Sequence, residues 1–437
     1  MKKNSYKRKN IGKQTLHPET QMMSYGYDPF MSEGAVKPPI FLTSTYAFKS
    51  AEDGALFFDI VGGRKPAPEG QAGGLVYSRF NHPNMEIVED RLALLDGGEA
   101  SLVFASGMAA ISTTLLAFLR PGDVIIHSEP LYGGTETLIH NLLSEFGIQS
   151  VKLLDGLSAS AMRDALNQAA QLATVHKGRV AMVYFETPAN PTNAMIDFES
   201  MFNALDEFEQ QTGAKPLTVC DNTLLGPVFQ RPLEHGIDLS VYSLTKYVGG
   251  HSDLVAGGVI GRRDLIKKIR SIRGVTGDQL DPHSCWMIGR SMETLVLRMC
   301  RAAETGKIIA NWLAHNPFSP VTLYHPDHID SEQYQKVYKR QCSGPGSTFS
   351  FVLEGGREKA FKVINALSLF KSAVSLGGTE SLLCHPASTT HSGVPRDVRE
   401  ASGITEGLIR VSVGLEHPDD LIADLTEAFS IAFSKND

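Results

Sequence analysis

The chain has 437 residues, with 41 Lys+Arg against 48 Asp+Glu and a formal charge of −7. Hydrophobic residues make up 42% and charged residues 20%, the balance of an ordinary folded protein, which excludes a disordered or coiled-coil chain as a whole. The mild acidity argues against nucleic acid as a partner, and no stretch approaches the ~20 apolar residues of a membrane span.

The N-terminal MKKNSYKRKNIGKQ carries six Lys/Arg, no acid and no apolar core, so it reads as a solvated basic tail and not as a secretory signal. Five cysteines are present, and the nearest two, Cys285 and Cys300, stand fifteen apart. An odd count without a CxxC spacing predicts a cytoplasmic protein with free thiols and no metal centre.

Residues 1–75 read as an irregular arm, with Gly and Pro punctuating an exposed loop at 61–74. From residue 100 the texture changes. Short apolar runs at 101–106, 123–128, 149–154, 179–187, 216–222, 238–244 and 255–261 alternate with helical segments from 108, 135, 158 and 199. That alternation predicts an α/β domain around a mostly parallel sheet buried on both faces. Residues 262–315 read as mostly helical with arginines at surface positions, and 316–330 as a Pro-rich connector. Strands expected at 347–354, 373–377 and 408–416, with helices at 357–367 and 418–434, predict a smaller C-terminal α+β domain with its helices on one side of an antiparallel sheet. The expected division is an arm at 1–75, a large domain at 76–290 and a small domain at 291–437.

The chain lacks G-x-S-x-G, H-E-x-x-H, the P-loop and a G-x-G-x-x-G after a strand. Serine hydrolase, zinc protease, P-loop and dinucleotide chemistries lose their usual support. The positive signal is YSLTKYVGGHSDLVAGG (242–258), in which Lys246 follows an apolar strand among small residues. A lysine there, partly desolvated, loses its proton readily and can attack a carbonyl. Taken alone it reads more readily as a surface lysine after a strand.

The other strand ends change the weighting. PLTVCDN ends on Asp221, a carboxylate suited to a ring nitrogen. FETPANPTN offers Asn190 as a donor on a proline-stiffened turn. FASGMAA runs from strand through Ser106 and Gly107 into a helix, which leaves N–H groups for a phosphate. EPLYGGT supplies Tyr132, able to stack on a flat ring. Each alone is a cap or a turn; together they meet the needs of one cofactor.

YSRFNHPN, FASGMAA, EPLYGGT, FETPANPTN, DNT and SLTKYVGGHSD, in that order, resemble the Cys/Met-metabolism family of pyridoxal-phosphate enzymes. The resemblance runs from about Pro38 to about Ala432. SAVSLGGTESLLCHPASTTHS and EGLIRVSVGLE look most like its methionine γ-lyase branch. The resemblance implies a fold type I transferase with a seven-stranded-type sheet, pyridoxal 5′-phosphate as cofactor, a small amino-acid substrate, and a homotetramer with sites shared within dimers.

It also implies roles. Lys246 would carry the cofactor and move protons, and Tyr132 would stack on the ring. Asp221 would pair with the pyridinium, and Ser106, Gly107, Met108, Ser243 and Thr245 would hold the phosphate. Tyr77 and Arg79 would reach the phosphate of the neighbouring subunit. Arg410, with Ser375 and Asn190, would bind the substrate carboxylate. An unpaired arginine at a strand centre makes independent sense of such a partner.

The implied reaction is γ-elimination from methionine or homocysteine, giving 2-oxobutanoate, ammonia and a thiol. The alternatives are cystathionine γ-synthase, cystathionine γ-lyase or O-acylhomoserine sulfhydrylase chemistry, and outside the class a non-catalytic cofactor carrier. Five departures bear on that choice. Gly134 replaces a cysteine, Leu224 an aromatic and Asn84 a threonine; the 58–74 loop is long and the 323–333 connector atypical. Val374, ahead of Ser375, stands where cystathionine enzymes of the family carry glutamate.

Overall fold

A computed structural model describes residues 5–61, 64–66, 74–318 and 320–434. Seven strands form the large sheet: β1 Ala100–Phe104, β2 Val124–Ser128, β3 Gln149–Leu153, β4 Val180–Glu186, β5 Leu217–Asp221, β6 Leu239–Ser243 and β7 Gly257–Gly261. Their order is β1-β7-β6-β5-β4-β2-β3. β7 alone runs antiparallel to its neighbours; the other pairings are parallel.

Side chains alternate between faces, and that alternation divides the core. Ile125, Met182 and Tyr184 pack with the helices Gly107–Phe118 and Arg263–Thr276. Val124, Ile126, Val183 and Phe185 pack with Ala159–His176 and Phe198–Thr212 on the other face. Burial on both faces is why these strands read as continuous apolar runs. A third cluster joins Val103 and Ile260 to the helices Pro83–Leu95 and Pro282–Met292.

The small sheet has strands β8 Thr322–Tyr324, β9 Thr348–Val352, β10 Lys371–Ser372, β11 Leu382–Cys384 and β12 Leu408–Ser412, ordered β8-β9-β12-β11-β10. It is antiparallel except for β10 beside β11. Phe349, Phe351, Ile409 and Val411 face the helices Leu295–His315, Gly356–Ala366 and Pro418–Ala432. Ser350 and Arg410 alternate with them and point the other way, Ser350 Oγ donating to the carbonyl of Pro191 at 2.7 Å.

Three expectations need correcting. Residues 373–377 are not a strand: after two paired residues the chain turns off so that the carbonyls of Val374 and Ser375 meet Arg410, and Gly377 takes φ 73°. A side chain at 377 would lie 2.8 Å from the Tyr247 nitrogen. The arginines of 262–315 are not all at the surface: Arg273 is fully buried against Glu89 at 2.7 Å, and Arg298 is buried against the carbonyl of Tyr247 at 2.8 Å. Residues 1–75 are not wholly irregular, since Ala51–Val61 is helical. Most of the 61–74 loop, and the first four residues of the basic tail, lie outside the described residues.

Asn84 ties the arm down. Its Oδ1 accepts from the Phe41 N–H at 2.9 Å and its Nδ2 donates to the Pro39 carbonyl at 2.9 Å. The 323–333 connector contains β8 and a 3₁₀ turn, Pro326–His328, and enters a helix, Glu332–Gln341.

Candidate active site

A cavity of about 300 Å³ opens at the C-terminal ends of the parallel strands, where the small sheet closes over them. Such ends are where open α/β sheets gather ligand-binding loops. Ser106, Gly107, Met108, Tyr132, Asn190, Asp221, Ser243, Thr245, Lys246 and Arg410 all line it, with Glu186, Thr223, Leu224, Val374 and Thr390.

One end is built from backbone. The helix Gly107–Phe118 begins at Ser106, whose Oγ accepts from the Ala109 N–H at 3.0 Å. The N–H groups of Gly107 and Met108, in the first turn, have no partner among the described residues. A Cβ on Gly107 would stand 3.0 Å from the Ser243 Cβ, so glycine keeps this cradle open. Ser243 is fixed through its own N–H, which donates to Thr223 Oγ1 at 2.9 Å. Thr245 Oγ1 accepts from the Ala256 N–H at 2.9 Å and donates to the Ala256 carbonyl at 3.2 Å.

The floor is acidic. Asp221 is buried, and its Oδ1 accepts from the N–H and hydroxyl of Thr223 at 3.1 and 2.6 Å. Glu186 pairs with it across the β4–β5 ladder. Burial pushes both carboxyls above the usual range, and the charge of Asp221 raises Glu186 further. Asp221 has no cationic partner among the described residues.

Lys246 stands in the turn after β6, its Nζ donating to Ser375 Oγ at 3.1 Å. Desolvation, then the positive charge of Arg410, lowers its pKa and favours the neutral, nucleophilic amine. Arg410 is almost fully buried; Nη2 donates to the carbonyls of Val374 and Ser375 at 2.7 and 2.9 Å, and Nη1 to Asn190 Oδ1 at 3.3 Å. No carboxylate is within ion-pair distance of it among the described residues. The Asn190 amide is thereby turned with its NH₂ available to donate.

Tyr132 lies on the rim, 43% exposed, and its ring leans over Gly134, where a Cβ would come within 2.6 Å of Cε1. Ser375 meets the site through its contact with Lys246. Tyr77 and Arg79 do not line this cavity. Arg79 donates to the Gly274 carbonyl and lies 4.4 Å over the Phe80 ring, and Tyr77 is exposed. The residue that sequence reasoning missed is Glu186. Its signal was available: like Asp221, it is an acid that ends an otherwise apolar strand.

Comparison with known proteins now decides the family. Residues 19–430 match the model of the Cys/Met metabolism PLP-dependent enzymes. The chain belongs to this family. It is 39% identical over 411 residues to an L-methionine gamma-lyase of Pseudomonas putida, covering 94% of this chain and 96% of that protein. It is 34% identical to the human cystathionine gamma-lyase over 423 residues, covering 95% and 94%. A solved cystathionine gamma synthase of Xanthomonas oryzae pv. oryzae, in complex with cystathionine, superposes with TM-score 0.82 at 31% identity over 96% of this chain and 99% of that one.

The chain is a PLP-dependent enzyme of sulfur amino-acid metabolism, a lyase or γ-replacement enzyme, with the fold type I architecture. The donor set fits pyridoxal phosphate: an open cradle of N–H groups, a buried carboxylate without a cation, and a lysine with a lowered pKa. No helix among the described residues is long and apolar enough to cross a membrane.

Proposed function

We propose that the chain catalyses γ-elimination from methionine or homocysteine, yielding 2-oxobutanoate, ammonia and a thiol. The observation that carries this reading is Lys246, a desolvated amine between an acidic floor and a buried, carboxylate-free arginine.

Bound pyridoxal phosphate supplies the electron sink that makes the α-proton removable. The cradle of Ser106, Gly107, Met108, Ser243 and Thr245 would hold the phosphate, and Asp221 would pair with the pyridinium nitrogen, whose positive charge would offset the acidic floor. Tyr132 would stack on the ring. Arg410, with Asn190 and Ser375, holds the substrate carboxylate and so aims Cα at Lys246. Lys246 takes the proton from Cα and later from Cβ, so one base serves two positions. Val374, 54% exposed and lining the cavity, would face the γ-substituent.

Tyr77 and Arg79 serve the partner's phosphate in a homotetramer built from dimers. Two observations support this. Among the described residues, Lys246 and Arg410 are the only lysine or arginine lining the cavity, and both are committed elsewhere. The arm also exposes Phe30, Met31, Val36 and Leu42, an apolar surface that suits an interface. The five free cysteines suit a cytoplasmic setting. We take residues 1–75 as the arm, 76–290 as the large domain and 291–437 as the small one.

The second reading is γ-replacement or lysis of related substrates. It is favoured by the similarity to cystathionine enzymes and by an exposed rim that admits a thiol.

A substrate panel with detection of 2-oxo acid, ammonia and thioether separates the two readings. Methionine and homocysteine yielding 2-oxobutanoate with ammonia is the expected result; thioether formation without 2-oxo acid overturns it. Lys246→Ala should fold, lose the visible absorbance of the bound cofactor and abolish turnover. Borohydride fixation of the cofactor on another lysine would refute the assignment.

A further inference from the structure

Glu186 ends β4 and is 7% exposed. Its Oε2 accepts the Tyr132 N–H at 2.8 Å and its Oε1 accepts the Asn190 N–H at 2.8 Å. These amides belong to the loops after β2 and β4, each of which contributes a wall of the cavity. Tyr132 opens the wall that carries the ring face, while Asn190 Oδ1 accepts from Arg410 on the wall that faces the substrate carboxylate. Glu186 has no Lys, Arg or His within ion-pair distance among the described residues. A buried carboxylate is costly, and this one stands directly across the ladder from a second, Asp221. What it gains is two backbone donors, one from each wall.

We infer that Glu186 is a positioning residue that sets the spacing between Tyr132 and the Asn190–Arg410 pair, so that cofactor stacking and substrate-carboxylate binding are adjusted together. The inference rests on the reading of this cavity as the pyridoxal-phosphate site. A carboxylate serves two N–H groups because both its oxygens accept. Glutamine keeps the length and volume, yet its NH₂ must confront one of the two amides. A single atom change therefore releases one wall from the other. Aspartate keeps both acceptors but is one methylene too short to reach both walls.

The test uses Glu186→Gln in the full-length protein, with two readouts that need no turnover. The first is the affinity of the apo-protein for pyridoxal phosphate, followed by visible absorbance. The second is the Kd of the loaded protein for glycine, an amino acid without a leaving group, followed by the spectral shift. Both should weaken about tenfold, while the thermal midpoint of the loaded protein moves by only a few degrees. In a Tyr132→Ala background the effect on cofactor affinity should shrink to under about twofold, and in an Asn190→Ala background the effect on glycine should do the same, because the backbone N–H remains but the side chain that Glu186 positions is gone.

Both affinities within about twofold of wild type in folded Glu186→Gln would overturn the inference, as would a full effect in the two backgrounds. If Glu186→Gln does not fold, Glu186→Asp takes its place with the same readouts, and unchanged affinities again refute it. Should the wild-type chain fail to load the cofactor on Lys246, the reading of the site itself fails. The inference fails separately when wild type loads and the variant is indistinguishable from it.

Discussion

Single side chains at the rim and beneath the floor carry the first two predictions. Val374 lines the cavity and is held by its carbonyl, which accepts from Arg410, so its side chain can be changed without breaking that contact. An apolar group cannot pair with the distal ammonium of cystathionine, and stranding such a charge costs on the order of 1–3 kcal/mol. The wild-type kcat/KM for methionine or homocysteine should exceed that for cystathionine by about tenfold, since about 1.4 kcal/mol is a factor of ten. Val374→Glu should narrow that ratio, and steady-state kinetics on both substrates would check it. Cystathionine as the best wild-type substrate defeats the argument.

The second residue is Asp96, whose Oδ1 accepts from the Tyr242 hydroxyl at 2.7 Å, while that hydroxyl accepts from Asn222 Nδ2 at 2.7 Å. Burial raises the Asp96 carboxyl from 3.8 to about 7. The folded state therefore holds this proton more tightly than the unfolded chain. Its contribution is complete below pH ~4 and is lost as pH rises toward 7. Asp96→Asn should flatten the fall in stability between those values, as read from denaturant unfolding at several pH values. At this scale the sequence was most legible where one residue type has one use at a strand end. Lys246 and Asp221 stood out for that reason. Glu186 was passed over because the Pro, Thr and Asn beside it already explained a turn.

Elements account for the cradle. A helix that starts at the end of a strand leaves its first N–H groups unpaired, and Ser106 caps one of the others. Two substitutions separate its two duties. Ser106→Ala removes the cap on Ala109, costs about 1 kcal/mol and lowers the thermal midpoint by a few degrees. Gly107→Ala puts a methyl 3.0 Å from Ser243 and should weaken cofactor affinity by tenfold or more, with little change in the midpoint of the apo-protein. Titration of the apo-proteins alongside thermal unfolding distinguishes the two.

The strands of the large sheet were legible because burial on both faces writes one apolar run per strand. Residues 373–377 carried a strand-like pattern too, but local alternation does not encode an arginine 35 positions away that draws two carbonyls out of a ladder. The helix Glu332–Gln341 went unread for a related reason: only Tyr334, Val337, Tyr338 and Gln341 are buried, a narrow stripe in a polar segment.

The whole molecule supplies what neither residue nor element can. Among the described residues, the end of the cavity proposed to hold the phosphate has backbone donors and hydroxyls but no arginine, and Arg79 of the same chain lies elsewhere. Sites shared across a dimer predict complementation. Arg79→Ala and Lys246→Ala proteins should each be nearly inactive. Mixed and allowed to reassort at equal amounts, they should recover up to about a quarter of wild-type activity, because half the dimers then hold one intact site of two. Demonstrated exchange without recovery would count against sharing. No local pattern announces such an arrangement: the Y-S-R segment lies just past the arm, and its proposed target belongs to another chain.

The place of β12 in the small sheet has a consequence for how the protein is made. It is the last strand in the chain, yet it lies at the centre of the order β8-β9-β12-β11-β10. Until residues 408–412 emerge from the ribosome, β9 and β11 each present an unpaired edge, the kind of surface that recruits other strands and promotes aggregation. The same five residues bring Arg410. A nascent or prematurely terminated chain can complete the large sheet, with Lys246 and Asp221 in place, and still lack the group proposed to receive a carboxylate. Completion of the sheet and competence for substrate thus arrive in one late event of synthesis, so an incomplete copy of this enzyme is exposed to quality control before it can act on an amino acid.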